Sequence, residues 1–415
     1  MNYRNIVIST MIIGALSACG SSSKKVTPAP IPTPVPAPTP TPAPIPTPAA
    51  NDLGISAVPE ALKSTYTTAL KFDRYTKVNT PNGGVIHLVA QDGVLDNQIV
   101  RSRAILQHFL TDYPGSLYGA DKSAVANKMA ENNAVLLLLN GVDDGTNAAA
   151  ELDGQPLYYG EMQVEGHSWY VNQDYNHRDA SYEEILHMVH DFGIGVDQNP
   201  TFVGAQADFQ NEIRAAQVTA SAGNLWGIGA SDWITELTAE NSLSQEYLAA
   251  LIDVYYGLWG ADTESSTHGM NGLYVAKVRS DIAIEDPQGA MLVDNKFFHP
   301  YVTYNARIDE SFVGDFSLAF NADIKYTHHS QYLKDITLTG TNNSNVIVNQ
   351  LDNNITGNAG VNTVTFSGTS AEYTITKDND VVTVEDMQDN REGVNTLTAV
   401  ESMTFSDTTI ETSSL

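Results

Sequence analysis

The pattern of apolar and polar positions changes abruptly near residue 50. At the start, MNYRNIVISTMIIGALSAC places an apolar run from Ile6 to Leu16 after Arg4 and ends it in small residues. Such a run is too short to span a bilayer as a helix and has the layout of a secretory signal. Ser21 to Ala50 has PTPVPAPTPTPAPIPTP at its heart, where proline alternates with Thr, Ala, Val and Ile. That alternation offers no face to a core and predicts an extended polyproline II stalk. At ~3 Å per residue, its roughly 30 residues reach on the order of 90 Å.

From Asn51 the pattern becomes globular. QIVRSRAILQHFL, 98–110, sets Ile99, Ile105, Leu106 and Phe109 on one face and predicts a helix; 120–133 predicts a second. AVLLLLN, 134–140, is apolar throughout, short, and followed by GVDDG, which predicts a buried strand. PLYYGEMQVEGH predicts another strand near a sheet edge. NHRDASYEEILHMVHDFGIG predicts a helix capped by Asp179 or Ser181 and stopped at Gly193. Within 230–260, Leu243, Tyr247, Leu251 and Val254 follow one face of an amphipathic helix, with Glu246 beside it. Residues 297–320 alternate like strands, and alternation returns around 373–375 and 381–384.

These elements predict an α+β fold. A mostly helical domain around a small sheet covers 51–296, a connecting β segment 297–339, and a β-rich part 340–415; residues 1–18 and 19–50 are the signal and the stalk. The charge is lopsided, with 21 Lys+Arg against 49 Asp+Glu and a net of −28. That balance excludes nucleic acid and an anionic membrane surface as partners. Cys19 is the only cysteine, which excludes an intrachain disulfide and, once it is modified, a cysteine nucleophile. No G-x-S-x-G lies in the middle region, and GVDDG and GNLWGIG lack the lysine or the spacing of a phosphate loop.

The segment Leu16-Ser17-Ala18-Cys19 resembles the lipobox of bacterial lipoproteins. The resemblance implies removal of 1–18, acylation of Cys19, and a lipid anchor held by several buried acyl chains. Gly20 rather than Asp follows Cys19, which by the resemblance to Gram-negative lipoproteins implies the outer membrane, facing either the periplasm or the cell surface.

In SYEEILHMVHDFG, 181–193, Glu183, His187 and His190 form one helical stripe spaced four then three. The stretch resembles the zinc helix of zincin metallopeptidases, in which two histidines at i and i+4 hold zinc and a Glu at i+1 takes a proton from water. Overlaid on it, Glu184 takes the general-base position, His187 the second-ligand position, and Glu183 replaces the first histidine. A carboxylate binds zinc at about 2.0–2.2 Å, so a ligand is kept while the ion's Lewis acidity falls. SQEYLAALIDVYYGLW is similar to the third-ligand segment of gluzincins of the lethal-factor-like kind, and the match falls on Glu246, 59 residues after His187. The resemblance implies a zinc site of His187, Glu246 and Glu183, with His190 as a further candidate, and a protein or peptide substrate. His167 and His177 lie close enough in sequence to complete a shell, whereas the adjacent His328 and His329 point to opposite faces if they lie on a strand. The alternatives are a non-catalytic adhesin or matrix protein on an inactive scaffold, or a polar, solvated helix face that happens to carry two histidines.

In the tail, Val346, Ile355 and Val364 recur at steps of nine, and GNAGVNTVT, 357–365, resembles the hemolysin-type nonapeptide. That resemblance implies a parallel β-roll followed by a strand-rich cap. The family's calcium-binding Asp at the sixth place is replaced here by Ser344, Asn353 and Asn362. An amide is a weaker ligand than a carboxylate, so a small Asn-laddered roll without strongly bound calcium is expected.

Overall fold

The computed structural model describes residues 49–199 and 201–415. The signal segment, Cys19 and almost all of the stalk lie outside the described residues. The described chain is a mixed α/β protein with helices and several mostly parallel sheets.

The first sheet has the order β1-β2-β3-β4, from β1 (Phe72–Asn79), β2 (Val85–Gln91), β3 (Val135–Leu139) and β4 (Gln155–Tyr158). The β1–β2 hairpin is antiparallel, whereas β2, β3 and β4 run parallel. Parallel neighbours need a long crossover, and α1 (Asp96–Leu110) and α2 (Ser123–Glu131) supply it between β2 and β3. The run VLLLL of β3 is buried at every position because the sheet is covered on both sides. Leu136 and Leu138 join the main core with Ile99, Ile105 and Leu106 of α1, while Val135, Leu137 and Leu139 face a smaller core around Tyr66, Phe72 and Tyr75. As expected, β4 is an edge strand.

The remaining helices are α3 (Ser168–Asn172), α4 (Ser181–Val189), α5 (Ala207–Ala222), α6 (Ser231–Glu240), α7 (Leu243–Tyr255), α8 (Arg279–Glu285), α9 (Pro287–Val293) and α10 (Thr327–Ser330). The 230–260 stretch is broken at Asn241, which takes a left-handed φ of 60°. After the break α7 is buried from Ser244 and Glu246 through Tyr255 on nearly all sides. A helix that is apolar all round belongs in a core rather than at its surface. The amphipathic face read from Leu243, Tyr247, Leu251 and Val254 is therefore half of the story, since Leu248, Ala249, Ala250 and Ile252 are buried as well.

The C-terminal strands are β5 (Asn305–Ile308), β6 (Gly314–Ser317), β7 (Asp335–Leu338), β8 (Ser344–Ile347), β9 (Asn354–Thr356), β10 (Thr363–Thr365), β11 (Tyr373–Asp378), β12 (Val381–Asp386), β13 (Val394–Thr398), β14 (Ser402–Thr404) and β15 (Thr409–Glu411). They form two sheets, β11-β12-β13-β9-β7-β5 and β15-β14-β10-β8-β6. From β5 to β10 successive strands alternate between the sheets and pair in parallel within each. The nine-residue rhythm is one step from sheet to sheet: Val364 pairs with Val346, two steps back, while Ile355 pairs with Ile336 in the other sheet. Segment 297–339 is thus more than a connection, because β5, β6 and β7 belong to the same two sheets. The core is continuous from helices to strands, and Tyr170 of α3 stacks on Phe316 of β6 at 6.3 Å between ring centroids.

The asparagines at the turns bond to the backbone of neighbouring turns and to one another. Asn362 Nδ2 donates to Ser344 O at 2.8 Å and to Asn358 Oδ1 at 3.0 Å, and its Oδ1 accepts from Asn358 N at 2.8 Å. Asn353 Nδ2 donates to Lys334 O and Asn349 Oδ1, both at 3.0 Å, whereas its buried Oδ1 has no partner. Replacing Asn362 by Ala strands a buried carbonyl and a backbone N–H, and is expected to lower stability in urea unfolding by about 2–4 kcal/mol.

Two buried cations stand out. Arg101 of α1 donates to Glu165 at 2.9 Å and to both oxygens of Asp179 at 3.1 and 2.6 Å, while Tyr304 donates to Glu165 at 2.8 Å. Lys122, just before α2, is buried and donates to Phe109 O at 3.0 Å, near the carbonyl end of α1. Burial pushes its ammonium down to about 7, with Asp112 opposing. A lysine lowered in the folded state costs stability fully below its folded value, and that cost fades as pH rises toward its unfolded value of about 10.4. Lys122→Met is therefore expected to stabilise the protein by about 2 kcal/mol near pH 6, shrinking toward nothing near pH 10. Urea midpoints across that range measure it.

Candidate metal centre

Helix α4 begins at Ser181 with Ala180 at the N-cap, so neither Asp179 nor Ser181 is the capping residue, although Asp179 Oδ1 accepts from Ser181 N at 3.2 Å just outside the helix. It does not stop at Gly193. The chain widens into a π-turn over His190–Ile194 and ends at Gly195, whose φ is 99°. Gly193 serves packing instead: a Cβ there would lie 2.7 Å from Val125 Cγ1 and 2.8 Å from Met129 Cγ on α2.

Glu183 and His187 stand one turn apart on α4, and α7 brings Glu246 beside them. One ligand atom from each lies within 4.8 Å of the other two, and the three residues are only 6%, 8% and 6% exposed. His187 Nε2 is 3.7 Å from Glu246 Oε1 and has no hydrogen-bond partner. That separation is too long for a hydrogen bond. It is close to the ~3.4 Å between two ligands held tetrahedrally at about 2.1 Å from one zinc ion. On the other side of the ring, Nδ1 lies 3.6 Å from Glu184 Oε2, and Gln155 of the edge strand donates to the same oxygen at 2.7 Å. Glu184 keeps 24% of its side chain open to solvent.

The surroundings are rich in carboxylates. Burial alone would lower the His187 imidazole, but Glu246 and Glu184 outweigh it and push it up to about 9. Burial raises Glu246, with Glu184 adding and His187 opposing. Burial also raises Asp253 of α7 and Glu161, each to about 7, with Arg178 opposing in both cases. Arg178 bonds Glu183 and lies 3.5 Å from Asp253 Oδ2, and Asp253 Oδ1 has no partner. Buried carboxylates in this number are stable only when protonated or when a cation is among them. Three donors, one an orphaned imidazole nitrogen, fit a divalent cation with one position left open.

The other candidates lie apart from this group. His190 is fully buried and faces α5, where its Nε2 meets Gln210 Oε1 at 2.6 Å; burial lowers it to about 4. His167 accepts from Trp169 N at 3.3 Å. His177 pairs with Asp174 at 2.8 Å and stacks on Trp169 at 3.8 Å. His328 and His329 lie on the short helix α10 rather than on a strand, and His329 Nδ1 bonds Tyr256 O at 2.7 Å. Cys19 lies outside the described residues. Sequence reasoning passed over Arg178, Asp253, Glu161 and Gln155. Asp253 had a signal, since it follows Glu246 by seven residues and so shares its face of α7; loop residue Arg178 had none.

Compared with known proteins, the chain matches no protein-family model, and no curated protein matches it significantly.

Proposed function

We propose that this chain is a lipid-anchored outer-membrane protein whose middle part is a zincin-like domain of gluzincin type, carrying a zinc-dependent peptidase site, and whose C-terminal part is a hemolysin-type β-roll and cap without strongly bound calcium. The observation that carries the reading is the approach of Glu246 to Glu183 and His187 from a helix 59 residues away in sequence. Glu183, His187 and Glu246 would hold the ion, which when bound supplies Lewis acidity toward a peptide carbonyl. Glu184 is the base. It is more open to solvent than Glu183 and Glu246, it follows the first ligand position by one residue, and it would accept a proton from the attacking water. Gln155 orients its carboxylate from the edge strand.

The test is elemental analysis of purified 51–415, with melting in the presence and absence of chelator. One zinc per chain and a melting point lowered by chelator are expected. Metal-free protein indifferent to chelator would sink the metal reading. Glu184→Gln is expected to keep the zinc and to lower peptide hydrolysis by about 10²–10⁴-fold.

A second reading, a non-catalytic adhesin or matrix component on an inactive zincin scaffold, is favoured by the carboxylate at the first ligand position and by the guanidinium seated on it. Zinc retained with no hydrolysis, unchanged by Glu184→Gln, decides for that reading.

A further inference from the structure

Arg178 is the one feature of the site that a plain metal-ligand account leaves without a role. It sits in the loop before α4, and its guanidinium touches three groups. It bonds Glu183 Oε2, lies 3.5 Å from Asp253 Oδ2, and rests 5.2 Å from the centre of the Trp259 ring. Asp253 is 2% exposed, and Glu183 is the ligand that stands where an imidazole is expected. The loop that carries Arg178 is pinned on both sides. Gln163 Nε2 donates to Asp174 O at 2.9 Å and also bonds His177 O, and Ala180 N donates to Glu161 O at 2.9 Å. The guanidinium is therefore placed by the fold rather than left to swing in solvent.

An anionic first ligand alters the charge of the set. Two carboxylates and one imidazole around a divalent ion sum to zero, whereas two imidazoles and one carboxylate leave one positive charge. A guanidinium bonded to one carboxylate returns that missing charge. We propose that Arg178 is a charge-compensating and positioning residue: bonded to Glu183 and anchored on Asp253, it makes the Glu183–Arg178 pair stand in for a neutral histidine ligand. This inference rests on the metal reading above and adds to it the reason a carboxylate is tolerated at that place. Arg178 binds no metal itself. Its cost is repulsion of the ion, and its return is a ligand oxygen held in one orientation.

The experiment is a double-mutant cycle on the full chain, with zinc alone as the probe, titrated against a chromophoric chelator. Arg178→Met removes the repelling charge and is expected to tighten zinc binding by about 10-fold. Glu183→Gln in the wild-type background leaves the guanidinium unpaired beside the ion, and zinc affinity is expected to fall by about 100-fold or more. In the Arg178→Met background the same Glu183→Gln change is expected to cost at least about tenfold less, because the two charges leave together. Arg178→Lys keeps the charge and the fold, and is expected to bind zinc within a few-fold of wild type. Equal costs of Glu183→Gln in both backgrounds would overturn the proposal, as would weaker zinc binding in a folded Arg178→Met. Should Arg178→Met fail to fold, the proposal rests on Arg178→Lys, and a large loss of zinc there overturns it. A wild-type chain that takes up no zinc sinks the underlying metal reading, a result plainly distinct from a wild type that binds zinc and a cycle that shows no coupling.

Discussion

Glu246→Gln is expected to empty the proposed metal centre while leaving the fold standing. The carboxylate is buried on α7, and its Oε1 lies 3.7 Å from the orphaned Nε2 of His187. Glutamine keeps the shape but offers a neutral carbonyl in place of an anion. Outer-shell partners typically cost 10–100-fold in metal affinity, so loss of a direct ligand should cost about 10³-fold. The metal-free variant should be no less stable than metal-free wild type, because a buried carboxylate opposed only by the His187 imidazole and the more distant Arg178 guanidinium has been removed. With zinc at ~100 times its dissociation constant, wild type gains about 2.7 kcal/mol that the variant lacks. Melting with and without added zinc reads the difference, and one zinc per chain in the variant would refute the assignment of Glu246.

The second large effect belongs to Arg101. Its guanidinium serves Glu165 and both oxygens of Asp179, and all three residues are buried. Removing one partner from such a group leaves uncompensated charge, which costs about 3–5 kcal/mol. Arg101→Met is expected to destabilise by that amount in urea unfolding. It should also loosen the start of α4, since Ser181 N donates to the Asp179 oxygen that Arg101 holds. Arg101→Lys should recover only part, because a point charge cannot serve two carboxylates in a fork. Adding Glu165→Gln and Asp179→Asn to Arg101→Met should recover most of the loss. A single Arg101→Met variant as stable as wild type would refute the argument.

Several elements were legible because their burial follows a simple rule. Helix α1 shows one apolar face, and β3 is an unbroken apolar run. The nine-residue step of Val346, Ile355 and Val364 is the passage from one sheet to the other. Helix α5 has no counterpart among the expected elements, because its inward face mixes Phe209 and Ile213 with buried Gln210 and Gln217. The β1–β2 hairpin is missing from the expected sheet, and its charged positions Asp73, Arg74 and Lys77 dilute the alternation. Gly193 read as a helix stop because sequence shows a glycine without showing what packs against it. At the metal centre, spacing alone placed Glu183, Glu184 and His187 together, and Glu246 rested on resemblance. His190 obeyed the same spacing, yet it faces α5, since periodicity assigns a face and not a neighbour.

The unbroken hydrophobic interior running from α3 into β6 has a consequence for modularity. Strands β5, β6 and β7 lie before residue 340 yet complete the sheets that follow it. A cut at that boundary would uncover Phe316, Ile336 and Val346 together. The helical and stranded halves are thus not interchangeable cassettes: a recombinant fragment ending at 339 should aggregate, and calorimetry of the intact chain should record one transition, with both halves melting as a unit.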